Sequence, residues 1–166
     1  MLRITKQTDY GIVLMTLFAS RPESGVHAVR ALSARDLALE TGLPLPMVGK
    51  ILKLLVRDGL LISQRGAKGG YRLSRPAGGI SVEEIVHALE GPIAITECTE
   101  TGPGECRFTG GCTLQPNWLR INQALRQALS GITLKDMTAA ESCGAPGCGS
   151  MAKSAAALER LAGSVS

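Results

Sequence analysis

One stretch of the sequence passes from a helical repeat to two short strand-like runs, and this change constrains the fold more than any other feature. Within residues 46–57 the apolar side chains recur with the spacing of one helical face, namely Val48, Ile51, Leu52 and Leu55. Strand-like runs follow at residues 60–64 and 71–75, and a basic, glycine-rich segment separates them. We therefore expect a helix followed directly by a two-stranded hairpin.

Two predicted helices precede this unit. Residues 5–20 form an apolar helix, and residues 33–36 resemble a capping box that opens a short helix ending at Glu40. Residues 41–43 predict a turn into the next helix. The order of helix, short turn, helix and hairpin is typical of a winged helix-turn-helix in a mainly α protein.

The second half of the chain alternates predicted helices with a segment that has no period. Residues 81–84 form a second capping box and open a helix that ends at Glu90, and residues 116–130 predict a longer helix. We divide the chain into four parts: a winged helix-turn-helix domain at 1–91, a cysteine-bearing loop at 92–116, a long helix with a short following helix at 117–138, and a flexible tail at 139–166.

Charge is distributed unevenly along the chain. Residues 1–80 hold twelve Lys or Arg and five Asp or Glu, a net charge of +7, whereas residues 81–166 hold six and nine, a net charge of −3. A basic module followed by a mildly acidic one favours binding to a polyanion such as nucleic acid. The longest apolar run, residues 11–19, is much shorter than the roughly 20 residues that span a bilayer, so we expect a cytoplasmic protein.

The helix at 46–57 and the hairpin after it carry the candidate DNA-binding residues. A helix fits the major groove of B-DNA, and its first turns reach the base edges. The predicted contacts are Met47, Lys50 and Lys53 on the helix and Arg65, Lys68, Tyr71 and Arg72 on the hairpin. The alternatives are a solvated helix face and an ordinary hairpin. A phosphate loop of an ATP- or GTP-binding enzyme has its glycines between a strand and a helix. The glycines of this chain lie between two strand-like runs, so a phosphate loop is excluded.

Three of the five cysteines lie in the segment without a period. Cys98, Cys106 and Cys112 have the spacing C-x7-C-x5-C, and four glycines between them allow the backbone to bend around a ligand. Thiolates are preferred ligands of iron–sulfur clusters and of zinc, although the close pairs typical of structural zinc are missing. A cluster, a zinc ion, and free or redox-active thiols all stay open on the residues alone. Cys143 and Cys148 lie in the tail and are interpreted as incidental.

Several motifs together resemble the IscR/NsrR group of winged-helix regulators, the Rrf-two family. The resemblance runs from residue 1 to about residue 138. Its motifs are Leu2-Arg3-Ile4-Thr5, Thr8-Asp9-Tyr10-Gly11, Leu52-Lys53-Leu54-Leu55, Asp58-Gly59-Leu60, Arg65-Gly66, Gly69-Gly70-Tyr71-Arg72-Leu73, Ser81-Val82, Glu84-Ile85, Ala88-Leu89-Glu90-Gly91 and the three cysteines. A finer resemblance, to the branch that regulates SUF-type iron–sulfur cluster assembly, rests on residues 90–98 and 117–122.

The resemblance implies a homodimeric, DNA-binding transcription regulator whose iron–sulfur cluster sets its affinity for double-stranded DNA. It assigns the cluster to the three cysteines at 98, 106 and 112, with a 2Fe–2S cluster favoured and a 4Fe–4S cluster as the alternative. It also makes the long C-terminal helix a dimerisation helix. The apolar residues suited to that role are Trp118, Ile121, Leu125 and Leu129, and packing on the chain's own core is the alternative for them.

The three cysteines leave one ligand position open, because a common cluster offers four. The IscR branch has a histidine three residues after the third cysteine, but this chain has Gln115 there, a poor iron ligand. The NsrR branch uses an aspartate that reaches across from the partner subunit, and Asp9 matches its position. Asp9 could instead only stabilise its helix N-terminus, and solvent, a small thiol, Glu97 or Glu105 could complete the set.

Two rival functions remain at this point. A thiol oxidoreductase would need a C-x-x-C pair or a cysteine beside a histidine, and the sequence shows neither, so we expect no enzyme. A regulator of the same fold could sense nitric oxide through its cluster, or could use disulfide formation without any cluster.

Overall fold

The computed structural model describes residues 4–21, 31–66, 69–96, 99 and 112–139. Along these residues the chain forms, in order, α1 (Lys6–Ala19), α2 (Ala34–Thr41), α3 (Leu45–Arg57), β1 (Leu61–Gln64), β2 (Gly70–Leu73), α4 (Val82–Glu90), α5 (Gln115–Ser130) and α6 (Leu134–Thr138). This mainly helical order with one hairpin confirms the predicted fold class. Of the helices within these ranges, none is long and apolar enough to cross a bilayer.

Hydroxyl side chains cap the N-termini of α2 and α4 at the positions that the sequence predicted. The capping box predicted before α4 is complete: the Ser81 hydroxyl accepts a hydrogen bond from the Glu84 N–H at 3.2 Å, and the Glu84 carboxylate accepts one from the Ser81 N–H at 2.9 Å. The Ser33 hydroxyl likewise accepts from the Asp36 N–H at 3.1 Å before α2. These bonds satisfy N–H groups that have no partner inside the first turn of a helix.

The four apolar residues predicted to share one face of α3 are all buried. Val48, Ile51, Leu52 and Leu55 have 0% of their surface exposed. They pack in one hydrophobic core with residues from three other helices: Leu14, Met15, Leu37 and Ile85. This core holds α3 against α1 and α2 and leaves the opposite face of α3 to solvent.

β1 and β2 form the predicted hairpin, with shorter strands than the sequence suggested. The antiparallel register pairs Leu61 with Leu73 at one end of the hairpin. The predicted strand began one residue earlier, but the Leu60 N–H donates to the Leu55 carbonyl at 2.9 Å. Leu60 therefore links the turn that ends α3 to the hairpin, because its carbonyl also accepts a hydrogen bond from the Ser74 N–H at 3.1 Å.

The hairpin is tied to the segment before α2 by a short backbone bridge. Tyr71 and Leu32 exchange two N–H···O hydrogen bonds, of 2.8 and 3.0 Å. The bridge brings the Leu32 carbonyl so close to Gly70 that a Cβ atom there would lie 2.6 Å from the carbonyl oxygen. A glycine is therefore required at the loop end of the hairpin, because any side chain would push the two segments apart.

The segment after α5 returns to the core of the first half. The Val82 N–H donates to the Ile132 carbonyl at 2.9 Å, and the Leu134 N–H donates to the Ile80 carbonyl at 2.7 Å. Leu134 is fully buried and belongs to the same hydrophobic cluster as the face of α3. The short helix α6 thus contributes to the core of residues 1–91, although it follows the long helix in sequence.

Candidate nucleic-acid interface and cysteine site

The outer face of α3 presents two of its three predicted contact residues to solvent. Lys50 and Lys53 are exposed, as the sequence predicted. Met47 is half-buried and packs against the edge of the core instead of standing outward with the lysines. The helical period explains this difference, because Met47 lies four residues before buried Ile51 and shares its side of the helix.

The hairpin carries a mixed set of predicted contacts. Arg65 is exposed at the end of β1, and Arg72 is half-buried opposite Ile62 in the register. Tyr71 is half-buried and packs against the hydrophobic core, so its ring also has a structural role. Lys68 lies outside the described residues.

The described basic residues of this surface form no ion pair with an acidic residue among residues 4–21, 31–66, 69–96, 99 and 112–139. In the described part of the chain, the arginines in ion pairs are Arg21, Arg57, Arg75 and Arg126. None of these pairs includes Lys50, Lys53, Arg65 or Arg72. Cations without a nearby carboxylate can neutralise phosphates, and they release counterions from DNA when they do so.

One of the three candidate ligand cysteines can be located. Cys112 lies just before α5 as a free, half-exposed thiol, and its carbonyl accepts a hydrogen bond from the Gln115 N–H at 3.3 Å. Cys98 and Cys106 lie outside the described residues, as do Glu97, Glu105, Cys143 and Cys148. Among the residues that are described, no three His, Cys, Asp or Glu side chains come together as a metal site.

Asn122 anchors the chain that enters the cysteine segment, a role that the sequence analysis missed. Its side-chain amide donates to the Ile93 carbonyl at 3.0 Å, and its side-chain oxygen accepts from the Ile95 N–H at 3.2 Å. Asn122 is 6% exposed, and the described part of α5 has no other buried residue. An asparagine in the middle of an amphipathic helix, where it is a poor helix former, was the available signal.

A cluster of hydrogen bonds joins the end of α4 to the start of α1. The Glu90 carboxylate accepts from the backbone N–H of Thr5 at 3.3 Å, from the Thr5 hydroxyl at 2.5 Å and from the Thr8 hydroxyl. Partial burial by itself would raise the pKa of Glu90, but the hydrogen bonds from Thr5 and Thr8 outweigh it and lower that pKa. Asp9, the candidate fourth ligand, lies exposed in the first turn of the same α1.

The predicted dimerisation residues of α5 divide into two pairs. Trp118 and Ile121 are 36% and 49% exposed. Leu125 and Leu129 are half-buried and line a cleft of about 460 Å³ whose other walls come from α1, α4 and the segment after α4. The chain's own core therefore covers only part of this apolar stripe.

The chain matches a known protein family over most of its length. Residues 4–140 match Rrf2, described as an iron-dependent transcriptional regulator. Over 139 residues the chain is 31% identical to protein aau3 of Rhizobium meliloti, covering 84% of this chain and 86% of that protein. Over 136 residues it is 29% identical to the HTH-type transcriptional regulator IscR of Cronobacter sakazakii, covering 82% of this chain and 80% of that protein.

Solved structures support the same relationship. CymR (YrzC), described as the global cysteine regulator of B. subtilis, has a TM-score of 0.60 and 26% identity, with 84% of this chain and 98% of that chain covered. IscR of T. potens has a TM-score of 0.61 and 27% identity, with 88% and 94% covered. The relatives named here by function are transcription regulators and not enzymes, in agreement with the prediction.

Proposed function

The chain belongs to the Rrf2 family of DNA-binding transcription regulators, and on that premise we propose that it binds its operator as a homodimer under the control of an iron–sulfur cluster. In this proposal α3 lies in the major groove and the hairpin contacts the flanking phosphates. The observation that carries the DNA-binding part is the set of basic side chains at Lys50, Lys53, Arg65 and Arg72, which join none of the ion pairs of the described residues and lie beside a core that packs against α3.

The cluster would be held by the thiolates of Cys98, Cys106 and Cys112. Asn122 supports this role because it fixes Ile95 to α5, the helix that begins just after Cys112. The chain turns directly after this anchored segment, because the Thr99 N–H donates to the Thr96 carbonyl at 2.9 Å.

The proposed fourth ligand is Asp9 of the partner subunit. A carboxylate is a harder donor than a thiolate but still binds iron. Asp9 is exposed, and α1 is joined to the segment that leads to the cysteines through the hydrogen bonds of Glu90. A bound cluster would link the cysteine segment of one subunit to α1 of the other. It would thereby favour one arrangement of the two DNA-binding units. We propose the 2Fe–2S form, with 4Fe–4S as the alternative.

Dimerisation is assigned to the apolar stripe of α5. Trp118 and Ile121 leave a large part of their apolar surface in water in a single chain. Exposed apolar patches of this kind mark protein–protein contacts, and aromatic residues are enriched in such interfaces. A second copy of α5 would remove this surface from water and bring two copies of α3 into one symmetric unit that reads a near-palindromic site.

The proposed target genes are those for SUF-type cluster assembly. This finer assignment rests on the sequence motifs at 90–98 and 117–122, which contain both Glu90 and Asn122. A regulator whose DNA affinity follows cluster occupancy would match the production of clusters to their supply in the cell.

A second candidate function is a regulator that responds to thiol chemistry without a cluster. The structural similarity to CymR, named as a cysteine regulator, favours it, and Cys112 is a free and partly exposed thiol. A nitric oxide sensor that carries a cluster is the third reading of the same residues. The two cluster-bearing readings differ from the thiol regulator in iron content.

The experiment that tests the cluster is anaerobic purification of the full chain, followed by iron and sulfide counts and a visible spectrum. We expect iron and sulfide in equal amounts in the parent, and loss of both in the Cys98→Ser, Cys106→Ser and Cys112→Ser variants. Cys143→Ser and Cys148→Ser are the matched controls and should keep the parent's iron. Asp9→Ala should keep its fold and dimer but show a shifted spectrum and a more labile cluster. A colourless, iron-free parent that binds DNA according to its thiol state would favour the second candidate.

The DNA interface is tested by the salt dependence of binding. Each lost phosphate contact lowers the slope of log affinity against log salt by about 0.9. We expect the double variant Arg65→Ala, Lys68→Ala to bind all duplexes more weakly, and Lys50→Ala to change mainly the sequence preference. A double variant that binds as tightly as the parent at moderate salt would remove the hairpin from the interface.

A further inference from the structure

Gly49 is an unexplained feature of α3. Apart from the two chain neighbours and the backbone of α3 itself, a Cβ atom built at this position would have no atom of the described residues within 4 Å, so packing against those residues does not require a glycine. Gly49 is also absent from the glycines with positive φ, so the backbone conformation does not require one. By contrast, a Cβ atom at Gly11 of α1 would lie 2.2 Å from a methyl carbon of Leu89. A glycine inside a helix is less favourable than an alanine, and at residue 49 that loss has no internal compensation.

The position of Gly49 in α3 indicates a role in contact with DNA. It is the fifth residue of α3 and lies within the first turns, which reach base edges when a recognition helix enters the major groove. Residues three or four apart on a helix are neighbours on its surface. Gly49 is therefore next to Leu45 and Pro46 on one side and Lys53 on the other, and all three are exposed.

We propose that Gly49 determines DNA sequence preference by the absence of a side chain. The bare backbone leaves a notch between an apolar rim, formed by Leu45 and Pro46, and the charge of Lys53. Thymine carries a methyl group on the major-groove edge, and apolar contacts to that methyl are a known means of base discrimination. The notch fits the methyl group of a thymine, while Lys53 is placed for a neighbouring phosphate. This inference rests on the proposed function, because it requires α3 to lie in the major groove.

The test uses the full-length dimer and a duplex selected by the parent protein from random DNA. Gly49→Ala and Gly49→Leu fill the notch with a small and a large side chain, and both residues are better helix formers than glycine. We expect both variants to melt about 2–4 °C above the parent. We expect the affinity for the selected duplex to fall about tenfold in Gly49→Ala and further in Gly49→Leu. Affinity for a scrambled duplex should stay unchanged, because the phosphate contacts remain.

Replacement of single thymines by uracil, which lacks the methyl group, identifies the contact. The parent should lose affinity at one thymine of each half-site, and Gly49→Ala should be insensitive to that same replacement. Unchanged affinity of both variants for the selected duplex would overturn the inference while leaving the proposed function intact. A parent that is insensitive to every uracil replacement would overturn the thymine contact. A parent that selects no duplex at low salt would overturn the proposed function itself.

Discussion

The helices α3 and α5 are both amphipathic, yet the chain uses them in opposite ways. α3 buries four apolar side chains completely and leaves its basic face in water. α5 is three residues longer, but Asn122 is its one buried residue, and Trp118 and Ile121 remain 36% and 49% exposed. The stability of α3 is therefore supplied inside one chain, whereas the chain's own core covers the apolar stripe of α5 only in part.

This difference fits the two tasks that we propose for these helices. A recognition helix has to keep a defined orientation, and a close-packed core provides it. A helix that joins subunits has to keep apolar surface available until a second copy arrives. The contact of α5 with its own chain includes two polar links, through Asn122 and through the ion pair of Arg126 with Glu83 at 3.0 Å, beside the half-buried Leu125 and Leu129.

The largest effect is expected from a matched pair of isoleucine truncations. Ile51→Ala removes a side chain with 0% exposure and should lower the free energy of unfolding by about 2–5 kcal/mol. Ile121→Ala removes one that is 49% exposed and should change the unfolding of the monomer far less. Chemical denaturation at a protein concentration below that of dimer formation measures both. Equal losses in the two variants would remove the distinction between the helices.

The next effect concerns association. Ile121→Glu places a charge in the apolar stripe of α5 and should weaken the dimer by about 2 kcal/mol, or roughly 30-fold in its dissociation constant. Gln123→Glu is the matched control, because Gln123 is exposed and lies on the opposite side of α5. Sedimentation velocity over a range of concentrations gives both constants. A dimer that resists Ile121→Glu but is broken by Gln123→Glu would place the interface on the other face.

A smaller effect is expected at the polar anchor of α5. Asn122→Ala leaves the Ile93 carbonyl and the Ile95 N–H without their partners, and should cost about 1–2 kcal/mol of unfolding free energy. Because that segment leads to Cys98, iron should also be lost faster to a chelator. Asn117→Ala, at an exposed position on the same helix, is the control. Iron retention equal to the parent's in Asn122→Ala would limit the anchor to a structural role.

The smallest effect concerns the joint between α4 and α1. Hydrogen bonds from Thr5 and Thr8 lower the pKa of Glu90 below its ordinary 4.5, so the charged carboxylate stabilises the folded state above that value. The contribution is lost as the pH falls through the lowered pKa. Glu90→Gln should cost below about 1 kcal/mol at neutral pH, since Glu90 is exposed, and the difference from the parent should vanish at low pH. Thermal melts from pH 7 to pH 3 measure it, and a difference that grows on acidification would contradict the assignment.

Much of the fold could be predicted from local patterns. The face of α3 followed from a 3.6-residue period, and the starts of α2 and α4 followed from hydroxyl side chains at Ser33 and Ser81. The hairpin followed from glycines between two strand-like runs. These features depend on neighbours within a few residues, so the sequence contains their cause directly. The family could also be predicted, because its motifs extend along most of the chain.

The missed features depend on residues far apart in sequence. The burial of Leu134 in the core of the first half has no local signal, because a single leucine in a short helix does not specify which residues it packs against. The role of Asn122 depends on the position of α5 beside residues 93–95, which no local pattern specifies. Met47 is the exception, because the local helical period places it four residues before Ile51, at the edge of the buried face of α3.

The sequence by itself determined which segments become helices, which face of α3 is apolar and which cysteines share one segment, because period, capping and spacing act within one or two turns. Only the tertiary structure decided that α6 completes the first core, that α5 is anchored by a polar side chain, and that its apolar stripe is covered only in part. Burial and hydrogen bonding between distant segments depend on how whole helices are arranged around a common core, and no local pattern of residues specifies that arrangement.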